Sequence, residues 1–326
     1  MSFAVTKLDV NSLEVLEAAI ATATIMPTQI STRAPRGRIL AADFGTNALT
    51  LGDMDADYSA TGSFSEQQLT FGMFLESDDS RLLGIDAQVG DFAILPPATE
   101  HDAQHRGRLM YFAMTLNSER LRDIARVDGI HFDDTLLSKP GFFRPGKAWA
   151  KFSSEYAKGL CLSLDEASRI FSTGSEAGGK ASKFLVDDMS RLLLNSLVET
   201  ELAGLEAMPI SLLGQKIVRD AQHLIVRGMH HPPDVDQLVA EMDIPRRTLY
   251  RAFKAHLGLS PAKYLKLYRL SRAHIELSNA TPSNTNVSAI ALNWGFLSLG
   301  RFSSEYRSVF GVFPRQTLAA EAPTIH

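Results

Sequence analysis

The period of the hydrophobic positions changes twice along the chain. From about residue 36 to 116 the apolar residues come in short runs: "RILAADFG", "ALTLGDM", "QQLTFGMFLE", "RLLGIDA", "DFAILPP" and "RLMYFAMTL". Gly, Asp, Ser and Pro separate them, a spacing that predicts an antiparallel sandwich or barrel. Residues 1–35 are weakly patterned, with a helix predicted over 12–21 and an extended segment after it. From 117 to 205 the spacing becomes helical. "SERLRDIARV" opens on Ser118 as the candidate cap. "KASKFLVDDMSRLLLNSLVETELAGL" carries Phe184, Leu185, Met189, Leu192, Leu193 and Leu197 on one broad stripe. "STGSEAGGK" at 172–180 reads as a flexible loop, and "GLEAMP" at 204–209 as the boundary between two domains. Beyond it the periodic segments are all helical. The fold class is therefore α+β: a first domain over 1–205, β-rich at 36–116 and helical at 117–205, then an all-α domain over 206–320.

The second domain repeats one plan. "PDVDQLVAEMDIP" predicts a short helix from Val235 to Glu241 and a turn at Asp243-Ile244. Pro245 then opens the next helix, which Gly258 stops. At about 100° per residue from Arg246, Tyr250, Lys254, Arg247 and Arg251 fall between 0° and roughly 140°. Leu249, Ala252 and Phe253 fall on the opposite side. One face is cationic and the other is core, and a helix of this size fits a DNA major groove. Short helix, tight turn, exposed basic helix is the helix-turn-helix plan. "NVSAIALNWGFLSLGRFSSEYRSVFGVFP" (286–314) repeats it. A helix stops at Gly295, and a second runs from about Ser298 to Phe310. Phe302, Tyr306, Val309 and Phe310 take one side of that helix, and Arg301, Ser303, Ser304, Arg307 and Ser308 the other. The two units span 235–257 and 287–310. A Ser260-capped helix over 261–278 joins them, about 25 Å long at 1.5 Å per residue. Phe253 and Phe302 are expected to be buried, each in the core of its own unit.

Charge sharpens this division. Residues 209–320 hold 14 Lys and Arg against 7 Asp and Glu, net +7, whereas residues 1–208 hold 19 against 29, net −10. A basic third on an acidic body is the asymmetry of a nucleic-acid reader attached to something else. The single cysteine, Cys161, excludes an intramolecular disulfide and fits the cytoplasm, where it reads as a small buried apolar residue. No basic n-region precedes "AAIATATIM", so no signal peptide is expected. No apolar run approaches the roughly 20 residues of a membrane span.

Over about 209–318 the sequence resembles the AraC/XylS family of bacterial transcription regulators. The resemblance rests on "RRTLYRAFKAHLGLSPAKYL", on "YLKLYRLSRAHIEL" and on "IALNWGF…RFSSEYRSVFG". The wording of the last is similar to the branch that includes the benzoate and ethanolamine regulators. The family usually carries Ser-Pro after the closing glycine; here Gly311-Val312-Phe313-Pro314 keeps the proline and loses the cap. The resemblance implies two helix-turn-helix units on a long helix, each setting a recognition helix in successive major grooves. By family position Arg247, Tyr250, Arg251, Arg301 and Ser304 read bases, and Arg246, Lys254 and Arg307 hold phosphates. The first domain resembles family members only generally, as a jelly-roll-like sensing domain followed by dimerising helices.

Candidates in that first domain are correspondingly weaker. Phe71, Met73, Phe92, His101 and Tyr111 are the candidate effector pocket, though Phe71/Met73 and Phe92/Ile94 read first as plain core. Leu185, Met189 and Leu192 form a possible dimer seam. Glu100, His101 and His105 invite a metal reading, but the spacing departs from the cupin pattern and "TEHDAQHRG" looks like a loop, so no metal or cofactor is assigned. There is no Walker loop, dinucleotide fingerprint, nucleophile elbow or zincin motif. The expectation is a cytoplasmic DNA-binding regulator, not an enzyme: a homodimeric activator gated by a small molecule, with double-stranded DNA and RNA polymerase as partners. Two alternatives stand beside it. One is a ligand-independent regulator whose first domain only dimerises or contacts proteins. The other is a cupin-type metal enzyme carrying a DNA-binding tail.

Overall fold

The alternating segment folds into antiparallel strands wound around one long member. In the computed structural model, which describes residues 4–18, 23–43, 47–170, 176–202, 213–228, 232–282 and 284–320, the first half contains strands β1 (Ala4–Val10), β2 (Thr24–Gln29), β3 (Arg36–Asp43), β4 (Ala48–Asp55), β5 (Tyr58–Ser63), β6 (Leu69–Leu82), β7 (Ile85–Asp86), β8 (Phe92–Leu95), β9 (Glu100–Leu116) and β10 (Gly141–Phe143). The path runs β1-β3-β4-β9-β6-β8-β10, with β5 joining β2 to β9. The 17-residue β9 organises the rest. Its first part, 100–105, pairs with β5 and its second part, 108–115, with β4, while β6 lies along its other edge. Bulges after Phe74 and Ser77 keep β6 in step with it.

Side chains alternate across β9. Residues 101, 103, 105, 111, 113 and 115 point into the barrel, where they meet Tyr58, Ala60 and Phe74. Phe112, Met114 and Leu116 point outward into a second core with Phe71, Phe92, Leu121, Ile124, Leu185, Met189, Leu192 and Leu197. Helix α1 (Leu13–Ala18) lies within the helix expected over 12–21, and the outer core is closed by helices α2 (Ser118–Asp128) and α4 (Glu176–Leu202), the latter following α3 (Lys147–Ile170). Several details depart from the sequence reading. Strand β1 was not visible in the weakly patterned N-terminus, and β5 ("YSATGS") is too polar to register as a run. Residues 100–107 are strand rather than loop. The α2 cap is Asn117, whose side-chain Oδ1 accepts from the Glu119 and Arg120 backbone amides at 2.8 and 3.3 Å; Ser118 is the first helical residue. Residues 176–180 of the expected loop are helical; 171–175 and the expected boundary at 204–209 lie outside the described residues, as does the side chain of Cys161.

The expected dimer seam is corrected. Leu185, Met189 and Leu192 are buried against the chain's own sheet, Met189 with no exposed surface. Their spacing of four and three is the inner face of an ordinary core helix. Phe184, read onto the same stripe, is instead exposed on α4, and a larger exposed apolar surface lies on another helix. On α3, Trp149, Phe152 and Tyr156 form a continuous aromatic row, with ring centroids 5.4 and 6.0 Å apart. Phe152 is 56% exposed.

The second half contains helices α5 (Leu213–Arg227), α6 (Val235–Glu241), α7 (Arg246–Leu257), α8 (Pro261–Asn279), α9 (Val287–Asn293), α10 (Leu299–Phe310) and α11 (Pro314–Ala319). Asp234 and Gln237 form a reciprocal box at the start of α6. Pro245 is the cap of α7 rather than a residue of its first turn, and Gly258 closes that helix in the left-handed region at φ 67°. Ser260 caps α8, with Pro261 in its first turn. Phe253 and Phe302 are fully buried, but not in separate cores. Tyr264, Leu265, Tyr268 and Leu270 of α8 join them in one continuous cluster, to which Ile30 from the segment after β2 also belongs.

Candidate nucleic-acid interface and the cavity behind it

On α7 the buried side is Leu249, Ala252, Phe253 and Leu257, which leaves Arg246, Arg247, Arg251 and Lys254 exposed. Arg247 and Arg251 make no ion pair among the described residues. Arg246 is less free. It pairs with Asp236 of α6, and its guanidinium lies 5.6 Å from the centre of the half-buried Tyr250 ring. The Lys254 ammonium turns back to donate to the Gly258 carbonyl at 3.2 Å. On α10 the buried side is Phe302, Tyr306 and Val309. Arg301, Ser304 and Arg307 are exposed. Arg301 reaches Glu305 one turn along at 3.2 Å, and Lys266 of α8 meets the same carboxylate at 3.2 Å. Arg307 stacks over Phe313 at 4.5 Å. The residue that replaces the usual serine therefore supplies a platform for this cation, while the Gln316 side chain accepts from the Phe313 amide at 2.8 Å and performs part of the lost capping. All eight residues assigned to DNA thus share the outer sides of α7 and α10.

The inner ends of the same helices are held by the barrel. Arg81 of β6 donates to the His256 carbonyl at 3.0 Å, and Arg106 of β9 donates to the Leu257 carbonyl at 2.9 Å. Both guanidinium groups therefore satisfy the free carbonyls at the C-terminus of α7, where a cation also opposes the helix dipole. On α10 the Gln29 side chain, at the end of β2, donates to the Val309 carbonyl at 3.1 Å. Around these lie further contacts. The Gln29 amide donates to Ser271 at 3.1 Å, and Gln222 of α5 donates to Ser59 at 3.3 Å and to Tyr264 at 3.0 Å. Glu100 pairs with Arg219 at 3.0 Å and His223 at 3.3 Å, and Glu17 with Arg272 at 2.6 Å. Burial pushes the Asp102 carboxyl up to about 6, with Arg219 opposing and Glu100 reinforcing the shift.

The strands that make these contacts line a cavity on their other face. Its volume is about 90 Å³, and its walls include Tyr58, Thr70, Met73, His101, His105 and Tyr111. On β9 the alternation is complete: 101, 103 and 105 face the cavity, whereas 100, 102 and 106 face the helical domain. Of the five expected pocket residues, His101 and Tyr111 are brought together here; Met73 borders the cavity but packs in the outer core. Phe71 and Phe92 are not; they pack edge-on to each other in the outer core at 5.9 Å. Sequence reasoning missed Tyr58 with its strand β5, and missed Thr70 although its run was read as a strand. His105 had been grouped with Glu100 and His101 as a metal set, but the three do not converge. The two rings point inward and Glu100 outward to Arg219. Among the described residues no group of three metal-ligating side chains occurs. Burial holds the His101 imidazole down at about 4, despite its bond to the Ala60 backbone, and the His105 imidazole at about 3, the neighbouring His101 adding to the shift. Both rings are neutral near pH 7.

Comparisons with known proteins converge on the helical half. A family profile described as a helix-turn-helix domain matches residues 238–320. Over 102 residues, 31% of each chain, the sequence is 36% identical to a probable thc operon regulatory protein of Rhodococcus erythropolis. Over 85 residues, 26% of this chain and 54% of the other, it is 38% identical to the XylDLEGF operon transcriptional activator 2 of Pseudomonas putida. The chain thus spans between about a third and a half of these curated relatives. Among solved structures, a probable AraC family transcriptional regulator from Rhodopseudomonas palustris is 36% identical, covering 32% of this chain and 94% of that one, with a TM-score of 0.29. No described helix is long and apolar enough to cross a membrane.

Proposed function

For this chain, which belongs to the AraC family of transcriptional regulators, we propose a cytoplasmic, sequence-specific DNA-binding activator gated by a small molecule held in the barrel. The observation that carries the reading is the double use of the barrel strands. One face of β9 lines a cavity, and the other face grips the C-terminus of the first recognition helix through Arg106. A ligand that changes the set of that strand changes the seat of α7 directly. Arg247, Arg251, Tyr250, Arg301 and Ser304 read base edges, where Arg is suited to a bidentate bond to guanine. Arg246, Lys254 and Arg307 hold phosphates. The name of the P. putida relative, a transcriptional activator, supports the positive sign of regulation and with it contact with RNA polymerase.

The protein works as a homodimer, joined through the aromatic row of α3 rather than the buried stripe of α4. Phe152 and Tyr156 are large, exposed and stacked, as expected of an association surface. Selection of duplexes from a random pool by the full chain, followed by sequencing, tests the reading. Two half-sites, each with two short contact blocks about one helical turn apart, are expected. Recovery of unselected sequence would sink it. Gating is measured by operator affinity in an Ala113→Leu variant, which fills the cavity from within. Unchanged affinity in a folded variant would favour the ligand-independent alternative.

A further inference from the structure

The cavity carries its own statement about what enters it. None of its lining residues is Asp, Glu, Lys or Arg. Its walls are apolar apart from hydroxyls and two imidazoles. Three of those polar groups have an atom with no hydrogen-bond partner in the protein: Nδ1 of His101, Nδ1 of His105 and Oγ1 of Thr70. All three residues are more than nine-tenths buried. Buried polar atoms are normally satisfied, and each one left unpaired is costly. Three around one small cavity describe the polar half of a binding site. The His101 ring is linked to the Ala60 backbone as donor, so its free Nδ1 presents a lone pair. A neutral imidazole at His105 likewise has one acceptor nitrogen.

We propose that the effector is a small uncharged molecule with an apolar body and at least one O–H or N–H donor, of the class of short alcohols and primary amides, which donates to His101 (the second N–H of an amide reaching His105) and accepts from Thr70. Carboxylates are excluded, because no cation lines the cavity to receive one and desolvating an unpaired charge is expensive. Size sets a further limit. A cavity of roughly 150 Å³ holds benzene, so one of about 90 Å³ admits a few heavy atoms. This proposal rests on the effector-gated reading above and refines it.

The test uses three probes of similar size on the full chain at pH 7: butan-1-ol, its isomer methyl propyl ether, and butanoate. The readouts are saturable binding and the imidazole ¹⁵N resonances of His101 and His105. Butan-1-ol is expected to bind and to shift the His101 Nδ1 resonance in the direction of an accepted hydrogen bond. The ether should bind at least tenfold more weakly, and butanoate not detectably. In a His101→Phe/His105→Leu variant the preference for alcohol over ether should vanish. Should that variant fail to fold, the resonances of the unaltered protein decide alone. Equal binding of alcohol and ether, binding of butanoate as tight as that of the alcohol, or no saturable binding by any probe would overturn the proposal. If the alcohol binds as expected but operator affinity does not move, the ligand class stands and the gating reading falls.

Discussion

Arg301 and Lys254 are both exposed cations on recognition helices, yet their surroundings assign them different tasks. Arg301 keeps its planar fork at the outer surface of α10, whereas the Lys254 ammonium lies against the end of α7. Arg301→Ala should therefore cost about 1–3 kcal/mol on the selected site and relax preference at one or two base pairs. Lys254→Ala should weaken all sequences about equally and flatten the salt slope by about one unit. Identical base profiles and slopes for the two variants would contradict the division. Inside the barrel the informative residue is His105. Its folded pKa of about 3 lies far below the roughly 6.5 of an unfolded chain. The unfolded state therefore binds the extra proton, and stability falls as pH drops below about 6.5. His105→Gln removes that term. Between pH 6 and 4, denaturant titrations should show the unaltered protein losing up to about 1.4 kcal/mol per pH unit more than the variant; parallel curves would mean that His105 is not buried neutral. The DNA-facing residues were legible because a 100° period separates Arg247 and Arg251 from Leu249 and Phe253 without knowledge of any partner strand. His101 and His105 were not. "EHDAQHRG" lacks the β-branched and aromatic residues that mark strands, and only its pairing with β5 and β6 makes it extended.

Helices α7, α9 and α10 were readable almost to the residue, since each carries its own stop in Gly258, Gly295 or Gly311, whereas α5 and α11 were not singled out. What periodicity could not supply was how far their cores extend. Phe253 and Phe302 occupy one cluster through the buried side of α8. Phe302→Ala, a change that costs about 3–5 kcal/mol in a core, should accordingly loosen both units in a single hydrogen-exchange transition. Protection retained in α7 while α10 is lost would show two separate cores. The stripe on α4 failed in a related way, because an inner face and a seam between chains have the same spacing and only the sheet beneath distinguishes them. Met189→Asp places a charge in a site with no exposed surface, and loss of the fold is expected, detected by far-UV circular dichroism. Phe152→Asp on α3 should instead leave the helicity intact and shift sedimentation to the monomer. A folded monomeric Met189→Asp would return the seam to α4.

At the scale of the whole molecule, the net charge of −4 conceals a reading half of +7. If six to eight of its cations neutralise phosphates, operator binding by the full chain should fall with salt along a log–log slope of roughly −5 to −7. A slope near zero would leave that charge without a use. The contacts that join the halves are few and specific. Replacing Arg81 and Arg106 together by Ala should uncap α7, so that operator affinity no longer responds to filling of the cavity; a response of unchanged size would place the coupling elsewhere. The seating of Ile30 among the reading helices bears on heredity as well as mechanics. A DNA-binding half that borrows a core residue from the opposite end of the gene is not an interchangeable cassette. Recombination that grafts these helices onto a foreign sensor would leave a vacancy where Ile30 sat and bare carbonyls where Arg81 and Arg106 reached. Lineages can therefore exchange this reading head only with its docking strands, and chimaeras cut between the halves should be rescued by transplanting β2 through Ile30, the Arg81 end of β6 and the first half of β9.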